Sequence, residues 1–125
     1  MNRLLAKLSL LATTTVATLA FAGAAHAADL KKGAELVNKG GCIACHGAGL
    51  DKPIAPNYPI IAGQYASYLF HAMQQYQAAH QTPLYGRNNP IMSGVMAQFS
   101  TQDLQDIAAY VASLKGPLYI RDEVH

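Results

Sequence analysis

The stretch Gly40-Gly41-Cys42-Ile43-Ala44-Cys45-His46-Gly47 determines how the rest of this sequence is interpreted. A Cys-x-x-Cys-His run is the attachment signature for c-type haem. Thiols three positions apart can reach the two vinyl groups of one porphyrin, and the adjacent histidine then falls beneath the ring with a nitrogen on the iron. The glycines on either side place no side chains against a flat ring. The motif therefore predicts one haem bonded to Cys42 and Cys45, with His46 as an axial iron ligand.

The first 27 residues have the three-part build of a secretory signal. Arg3 and Lys7 give a positive start, residues 8–21 are apolar and uncharged, and Ala25-His26-Ala27 offers a cleavage site after Ala27. An uncleaved membrane anchor is the alternative, but the apolar stretch contains four threonines and is short for a span of ~20 apolar residues. We expect a periplasmic domain of residues 28–125 with no stable membrane insertion after cleavage.

The charge balance of the mature chain argues against nucleic acid as a partner. Removal of the leader leaves seven basic residues (9 minus 2) against seven acidic ones, so the mature chain is formally neutral and gives no reason to expect nucleic-acid binding. Lys31, Lys32, Lys39 and Lys52 surround the cysteine motif, whereas acidic residues gather toward the other end of the chain. These lysines form either a positive patch that steers an acidic partner or a set of scattered solvated charges.

Other uses of two cysteines are less consistent with this sequence. A structural disulfide is the default in an exported protein, but it assigns no role to His46. A thiol-disulfide oxidoreductase places its Cys-x-x-Cys after a strand, and here a helix and two glycines come before it. A zinc site needs about four ligands, and no second cluster of cysteines and histidines is present to complete one.

Three helices and no strand are predicted, which makes the fold class all-α. The first helix spans residues 29–38 and ends at Gly40-Gly41, and the second spans residues 63–79. The third follows Ser100, which forms a capping pair with Asp103, and it stops before Gly116-Pro117.

Two long loops connect these helices, at residues 47–62 and 80–99. Loops of this length in a small domain usually enclose something functional. Their apolar residues have too little helix to pack against, and a large apolar cofactor would resolve this. The residues concerned are Ile54, Tyr58, Ile60, Ile61, Leu84, Ile91 and Val95. The sequence thus predicts three main helices with long loops around one covalently bound haem.

The group that binds the iron opposite His46, at the sixth coordination position, decides whether the domain is an electron carrier or a gas binder. The candidates are Met73, Met92, Met96, His71 and His80. His71 is placed like a surface residue, Met73 lies on an apolar stripe like core filler, and His80 would have to reach inward from a helix end.

Met92 is predicted as the ligand. Residues 88–92 form an extended approach, because Pro90 disfavours helix at Asn89. Met96 is the alternative, since a short helical turn is plausible there, and the remaining interpretation is that both methionines simply pack on the ring. Methionine opposite histidine raises the reduction potential of haem.

On these residues the sequence resembles the class I cytochromes c, especially the small bacterial periplasmic monohaem type and the domains of periplasmic dihaem cytochromes c. The resemblance covers essentially the whole mature chain, and its matching stretches are residues 42–47, 56–64, 87–92 and 100–114. It implies the class I cytochrome c fold. The first and last helices would then cross, with Gly33 permitting close approach beside Tyr110.

Further roles are implied by the resemblance alone. In the family the ligand methionine precedes the last helix by about the separation seen for Met92. A proline carbonyl after the motif accepts a hydrogen bond from the other ring nitrogen of the haem histidine, which points to Pro56, with Pro53 as the alternative. Arg87 matches a position that reaches a haem propionate, although a solvated loop arginine is equally credible. The tail, residues 118–125, has no counterpart.

The resemblance implies outer-sphere, one-electron transfer between redox protein partners, such as periplasmic or membrane dehydrogenases, oxidases and reductases. No residue is required as an acid, base or nucleophile, so we expect an electron-transfer protein rather than an enzyme. The alternative is an electron-transfer subunit of a periplasmic dehydrogenase or oxidase complex. An open sixth position would instead indicate a haem enzyme or gas sensor.

Overall fold

The structure, a computed structural model, describes residues 27–82 and 86–119. Five α-helices and no strand occur in these ranges: α1 Leu30–Lys39, α2 Cys42–His46, α3 Ala66–Gln81, α4 Pro90–Met96 and α5 Thr101–Ser113. The all-α prediction is confirmed. Apart from Ala27, the predicted leader lies outside the described residues. Residues 120–125 of the tail also lie outside them. None of the described helices is both long enough and apolar enough to cross a membrane.

Capping side chains fix the amino-terminal ends of α1 and α5, and the sequence predicted the cap of α5. Asp29 precedes α1, and its carboxylate accepts hydrogen bonds from the backbone N–H groups of Lys31 and Lys32. Ser100 and Asp103 form a reciprocal capping box in which each side chain accepts the other residue's backbone N–H. Such caps replace the hydrogen bonds that the first turn of a helix lacks, so they determine where each helix begins.

The middle helix α3 starts at Ala66 rather than at the predicted Gly63. Gly63 has a φ of 79°, which is outside the helical region, and its N–H donates to the carbonyl of Val111 at the end of α5. The chain therefore turns against α5 before it enters α3.

The first and last helices cross in close contact at Gly33. A Cβ atom at this position would collide with the Asp106 carbonyl oxygen and would lie 2.7 Å from the Tyr110 Cβ. The expected close approach beside Tyr110 is thus present, because only glycine leaves room for the α5 backbone.

A buried carboxylate ties the same two helices together. Asp106 is 1 % exposed and accepts hydrogen bonds from the Asp29 N–H at 2.9 Å and from the Gln102 amide at 3.0 Å. The Lys32 ammonium lies 3.4 Å from Asp106 and 2.7 Å from Asp103. Assigning Lys32 to a positive patch around the motif is therefore wrong, since the helix crossing brings its charge onto the acidic residues of α5.

The core lies between α1, α3, α4 and α5 and continues into a cavity. Its buried apolar members are Val37, Leu50, Ala62, Leu69, Met73, Met96, Phe99, Leu104, Ile107, Ala108 and Val111. Several of these, from all four helices, also line the cavity, so one face of the core is the wall of a binding site.

We expect Gly33→Ala to lower the free energy of unfolding by about 2 kcal/mol or more, because overpacking a tight contact costs ~1–3 kcal/mol. Chemical denaturation of the mature protein measures this. Gly94→Ala is the matched control: Gly94 also lies in a helix, but an added Cβ there meets nothing within 4 Å. That variant should be unchanged or more stable by ~0.5–1 kcal/mol. Equal effects of both changes would contradict the proposed helix contact.

We also expect acid to weaken the α1–α5 contact. The hydrogen bond from Lys32 is the main cause that lowers the pKa of Asp103 from 3.8 to about 2, and hydrogen bonds from Ser100 act in the same direction. A lowered carboxyl pKa adds stability above the unfolded value that is lost as protons bind. The free energy of unfolding should therefore fall between pH 3.8 and about 2.

Lys32→Met should reduce this acid dependence, whereas Lys115→Met, which removes the same charge from an exposed position, should leave it unchanged. Urea denaturation at several acidic pH values measures the slope. An undiminished slope in Lys32→Met would contradict the assignment of this ion pair.

Candidate functional site

The cavity has a volume of about 360 Å³, within the ~300–1,000 Å³ typical of ligand pockets. Cys42, Cys45 and His46 line it from α2, and Met92 and Met96 line it from α4. Apolar side chains of α3 and α5 form much of the remaining wall: Leu69, Ala72, Met73, Ile107, Ala108 and Val111. The structure therefore brings the predicted attachment motif and the predicted ligand loop to one cavity.

The attachment motif forms the five-residue helix α2, which the sequence analysis did not predict. Gly41 before it and Gly47 after it have φ values of 73° and 85°, a region that favours glycine. Residues at positions i, i+3 and i+4 share one helix face. This places both cysteines and His46 toward the cavity, while Ile43 and Ala44 are exposed.

His46 is buried, at 4 % exposure, and its orientation is fixed by a backbone carbonyl. Its Nδ1 lies 2.8 Å from the Pro59 oxygen. Because a carbonyl oxygen can only accept, Nδ1 carries the proton and Nε2 presents a lone pair. Among the buried side-chain nitrogen and oxygen atoms of the described residues, Nε2 of His46 is the one without a hydrogen-bond partner. This is the arrangement of a metal-ligating histidine.

The partner of His46 corrects the sequence prediction, which named Pro56 with Pro53 as the alternative. The loop turns at residues 55–58, where the Tyr58 N–H donates to the Ala55 carbonyl. It then returns to Leu50, whose carbonyl accepts from residues 61 and 62. The returning limb passes His46, and Pro59 is on that limb whereas Pro56 lies in the turn.

The two thiols are free and partly buried. Burial raises the pKa of the Cys42 thiol. A backbone hydrogen bond lowers this pKa by less than burial raises it, and the nearby Cys45 raises it further. A dithiol oxidoreductase needs the opposite, a lowered thiol pKa. Nor do the described residues contain a cluster of three or more cysteine, histidine or acidic side chains suited to a metal ion, so they supply no closed zinc site.

The segment before Met92 corrects a second prediction. Asn89 is extended, as the proline rule requires, but Pro90 begins helix α4 instead of continuing an extended approach. Met92 and Met96 are four residues apart on this helix and share a face. Met96 is 2 % exposed and part of the core, whereas Met92 is half-buried at the cavity wall.

The other candidates for the sixth position fall into two groups. Met73 lines the cavity from α3 and is buried, as expected for core filler. His71 and His80 are exposed and do not line the cavity. The described residues therefore offer three methionines, and no second histidine, to the space on the cavity side of His46.

Arg87 lies in the cavity wall, where its side chain is half-buried and bound to residues of α3. Its Nε donates to Gln75 at 2.9 Å, and a terminal nitrogen donates to the Tyr68 hydroxyl at 3.1 Å. Its guanidinium carbon lies 5.3 Å from the ring centroid of Tyr68 and 5.8 Å from that of Tyr76. The Tyr68 hydrogen bond raises the pKa of Arg87 further. These partners could not be predicted from the sequence, because no motif links α3 to this loop.

The apolar loop residues divide between the cavity and solvent. Ile54 was predicted to pack on a cofactor, but it is 67 % exposed and does not line the cavity, because its N–H is held by the Cys45 carbonyl on the outer side. Leu84 lies outside the described residues. The others do line the cavity: Tyr58, Ile60, Ile61, Ile91 and Val95.

These observations fit a haem group. Two cysteines reach the cavity from one helix face, and an oriented imidazole presents an unpartnered nitrogen to it. The wall is mainly apolar, as a porphyrin requires, and Arg87 supplies a fixed positive charge suited to a carboxylate. His46 would hold the iron and the cysteines would hold the porphyrin edge.

Comparison with known proteins agrees with this site. Residues 30–115 match the family described as Cytochrome c. Cytochrome c4 of Stutzerimonas stutzeri is 40 % identical over 127 residues, covering 98 % of this chain and 55 % of that protein. Cytochrome c4 of Pseudomonas aeruginosa is 41 % identical over 115 residues, covering 92 % and 50 %.

A solved structure shares the fold as well. The crystal structure of reduced recombinant cytochrome c4 from Pseudomonas stutzeri aligns with a TM-score of 0.64 and 39 % identity, over 72 % of this chain and 47 % of that one. The chain spans about half the length of these relatives. It belongs to the cytochrome c family of haem-containing electron carriers and has the class I cytochrome c fold.

Proposed function

We propose that this domain carries single electrons between redox proteins in the periplasm. One haem c is bonded to Cys42 and Cys45, with iron held by His46 and Met92. The observation that carries the proposal is the buried His46 imidazole, whose Nδ1 is bound by Pro59 and whose Nε2 has no protein partner. When bound, the haem supplies an iron that moves between the ferrous and ferric states.

The residues around the site keep the iron ligands still. The Pro59 carbonyl holds the His46 ring in one orientation and increases the basicity of Nε2, the nitrogen that would bind the iron. The Tyr58 ring stands edge-on to the imidazole, with centroids 6.4 Å apart. A ligand that does not move between oxidation states requires little reorganisation, which suits electron transfer. The proposal assigns no acid, base or nucleophile.

Met92 is proposed as the second axial ligand, and its surroundings support this choice over Met96. Met96 is 2 % exposed and belongs to the core cluster, so its side chain already fills interior space. Met92 is half-buried at the cavity wall, packed against the edge of the core. A flexible thioether at the wall can reach a ligand site without opening a hole in the core.

We further propose that residues 1–27 are an export signal cleaved after Ala27, and that residues 28–125 are the mature domain. The start of the described fold supports this. Asp29 caps α1, and its backbone N–H is bonded to the buried carboxylate of Asp106. Asp29, which anchors the start of α1, is thus two residues beyond the proposed cleavage point. The chain has two cysteines, enough for one covalently attached haem.

Haem attachment is tested by mass. Protein matured with a competent haem-attachment system should show the mass of residues 28–125 plus one haem, and that mass should survive acid extraction of loose haem. Cys42→Ser and Cys45→Ser should each weaken attachment to one thioether, and the double variant should lose covalent haem. Ile43→Ser changes an exposed position in the same motif and should attach haem normally. The bare peptide mass in properly matured material would refute the proposal.

The ligand assignment is tested by Met92→Ala. This variant should lose the methionine–iron absorption feature, lower the reduction potential and let the reduced protein bind carbon monoxide rapidly, because the sixth position opens. Met96→Ala should retain the absorption feature, the reduction potential and the slow carbon monoxide binding of the unmodified protein. It should lower the free energy of unfolding by ~2–5 kcal/mol, since it empties a core position. The reverse pattern would assign the ligand to Met96. Rapid carbon monoxide binding by the unmodified protein would indicate a gas sensor or haem enzyme instead.

A further inference from the structure

The helix that carries Met92 is too short to hold its own position. α4 has seven residues, far fewer than the ~12–15 that an isolated helix needs in water. It is also open around Gly94, where an added Cβ meets no other atom within 4 Å. The position of α4 must therefore come from contacts with other elements.

Gln77 of α3 provides the contact at the carboxyl end of α4. Its Nε2 donates to the Met96 carbonyl at 2.9 Å and to the Phe99 carbonyl at 2.7 Å. An amide nitrogen carries two hydrogens, so both bonds can form at once. Carbonyls at the end of a helix lack their usual helical partners. The Met96 carbonyl accepts the Phe99 N–H at 3.2 Å, and Gln77 adds a hydrogen bond to it and to the Phe99 carbonyl from a different helix. The side chain is half-buried, which limits the access of water as a substitute.

The amino end of α4 is fixed by a different side chain. Asn89 caps the helix, and its Oδ1 accepts the backbone N–H of Met92 at 3.0 Å. The Met92 backbone is thus hydrogen-bonded to the capping residue, while Gln77 holds the opposite end of the helix. Between these two ties the helix has little freedom to turn or slide along the cavity wall.

We propose that Gln77 is a positioning residue that keeps the α4 methionine on the haem iron. The proposal rests on the methionine ligation of the proposed function. Without the Gln77 amide, the Phe99 carbonyl would lose this donor and the Met96 carbonyl would keep only the Phe99 N–H, so the end of α4 would be held less firmly. An external ligand would then replace the methionine more easily. Both methionines lie on α4, so the role of Gln77 is the same for either one.

The test is an imidazole titration of the ferric holoprotein at neutral pH, followed by absorbance. Gln77→Leu should bind imidazole about tenfold more tightly than the unmodified protein, equivalent to about 1.4 kcal/mol. Gln98→Leu is the matched control, because Gln98 also donates to an α4 carbonyl, that of Val95, but from an exposed and local position. That variant should change the affinity by less than about twofold, a difference of ~0.4 kcal/mol. Equal affinities of the two variants would overturn the proposal.

A second control separates positioning from general stability. Asp106→Asn weakens the α1–α5 contact without touching α4, so it should lower the free energy of unfolding but leave imidazole affinity unchanged. If it raises the affinity as much as Gln77→Leu does, Gln77 acts only through stability and the proposal is wrong.

The Met92→Ala variant distinguishes a failure of the Gln77 role from a failure of methionine ligation. Tight imidazole binding by Met92→Ala with none gained in Gln77→Leu would overturn the role of Gln77 alone. No gain in Met92→Ala or Met96→Ala would overturn methionine ligation, and the role of Gln77 with it.

Gln77→Glu provides the same test if the leucine variant does not accumulate. An ionised glutamate has no hydrogen to donate and would repel both carbonyls, whereas the protonated acid can donate one hydrogen bond. The methionine–iron absorption feature should therefore fade in this variant as pH rises through the titration of the new carboxyl, and it should return on acidification. The unmodified protein should show no such change over that range. A pH-independent feature in Gln77→Glu would contradict the proposal.

Discussion

The hydrogen bond between His46 Nδ1 and the Pro59 carbonyl is the interaction on which the site depends. It selects the tautomer of a buried imidazole and leaves Nε2 facing the cavity without a protein partner. A buried nitrogen with no hydrogen bond destabilises a fold by ~1–3 kcal/mol. An iron ion bound at that nitrogen, as proposed, would remove this penalty.

The rest of the fold brings α2 and α4, which carry the proposed iron ligands, to the same cavity. α1 crosses α5 at Gly33 and then leads directly into the attachment motif. At the end of α1, an added Cβ on Gly40 would lie 2.5 Å from the Phe99 ring. The Phe99 carbonyl in turn accepts from Gln77, which also holds the end of α4. The motif and the methionine helix are therefore linked through one buried aromatic residue.

The balance of charge follows from the same packing. Lys32 is directed onto Asp103 and Asp106, away from the cavity. Within the cavity wall, Arg87 is the permanently charged side chain among the described residues, and two tyrosines and a glutamine hold it in place. With haem bound as proposed, a mainly apolar wall with one cation would favour the reduced, less positive iron and so raise the reduction potential.

Features that depend on neighbouring residues can be predicted from the sequence. The Ser100 and Asp103 pair predicted the start of α5, because the capping bonds join residues three positions apart. The spacing of the Cys-x-x-Cys-His motif indicated a haem protein, which the family match supports. Features that join distant residues needed the tertiary structure. Pro59 reaches His46 in place of Pro56 because the loop closes on Leu50, and Ile54 faces solvent because Cys45 holds its backbone on the outer side. Residue type and spacing specify short-range hydrogen bonds, whereas the path of the whole chain decides which distant groups meet.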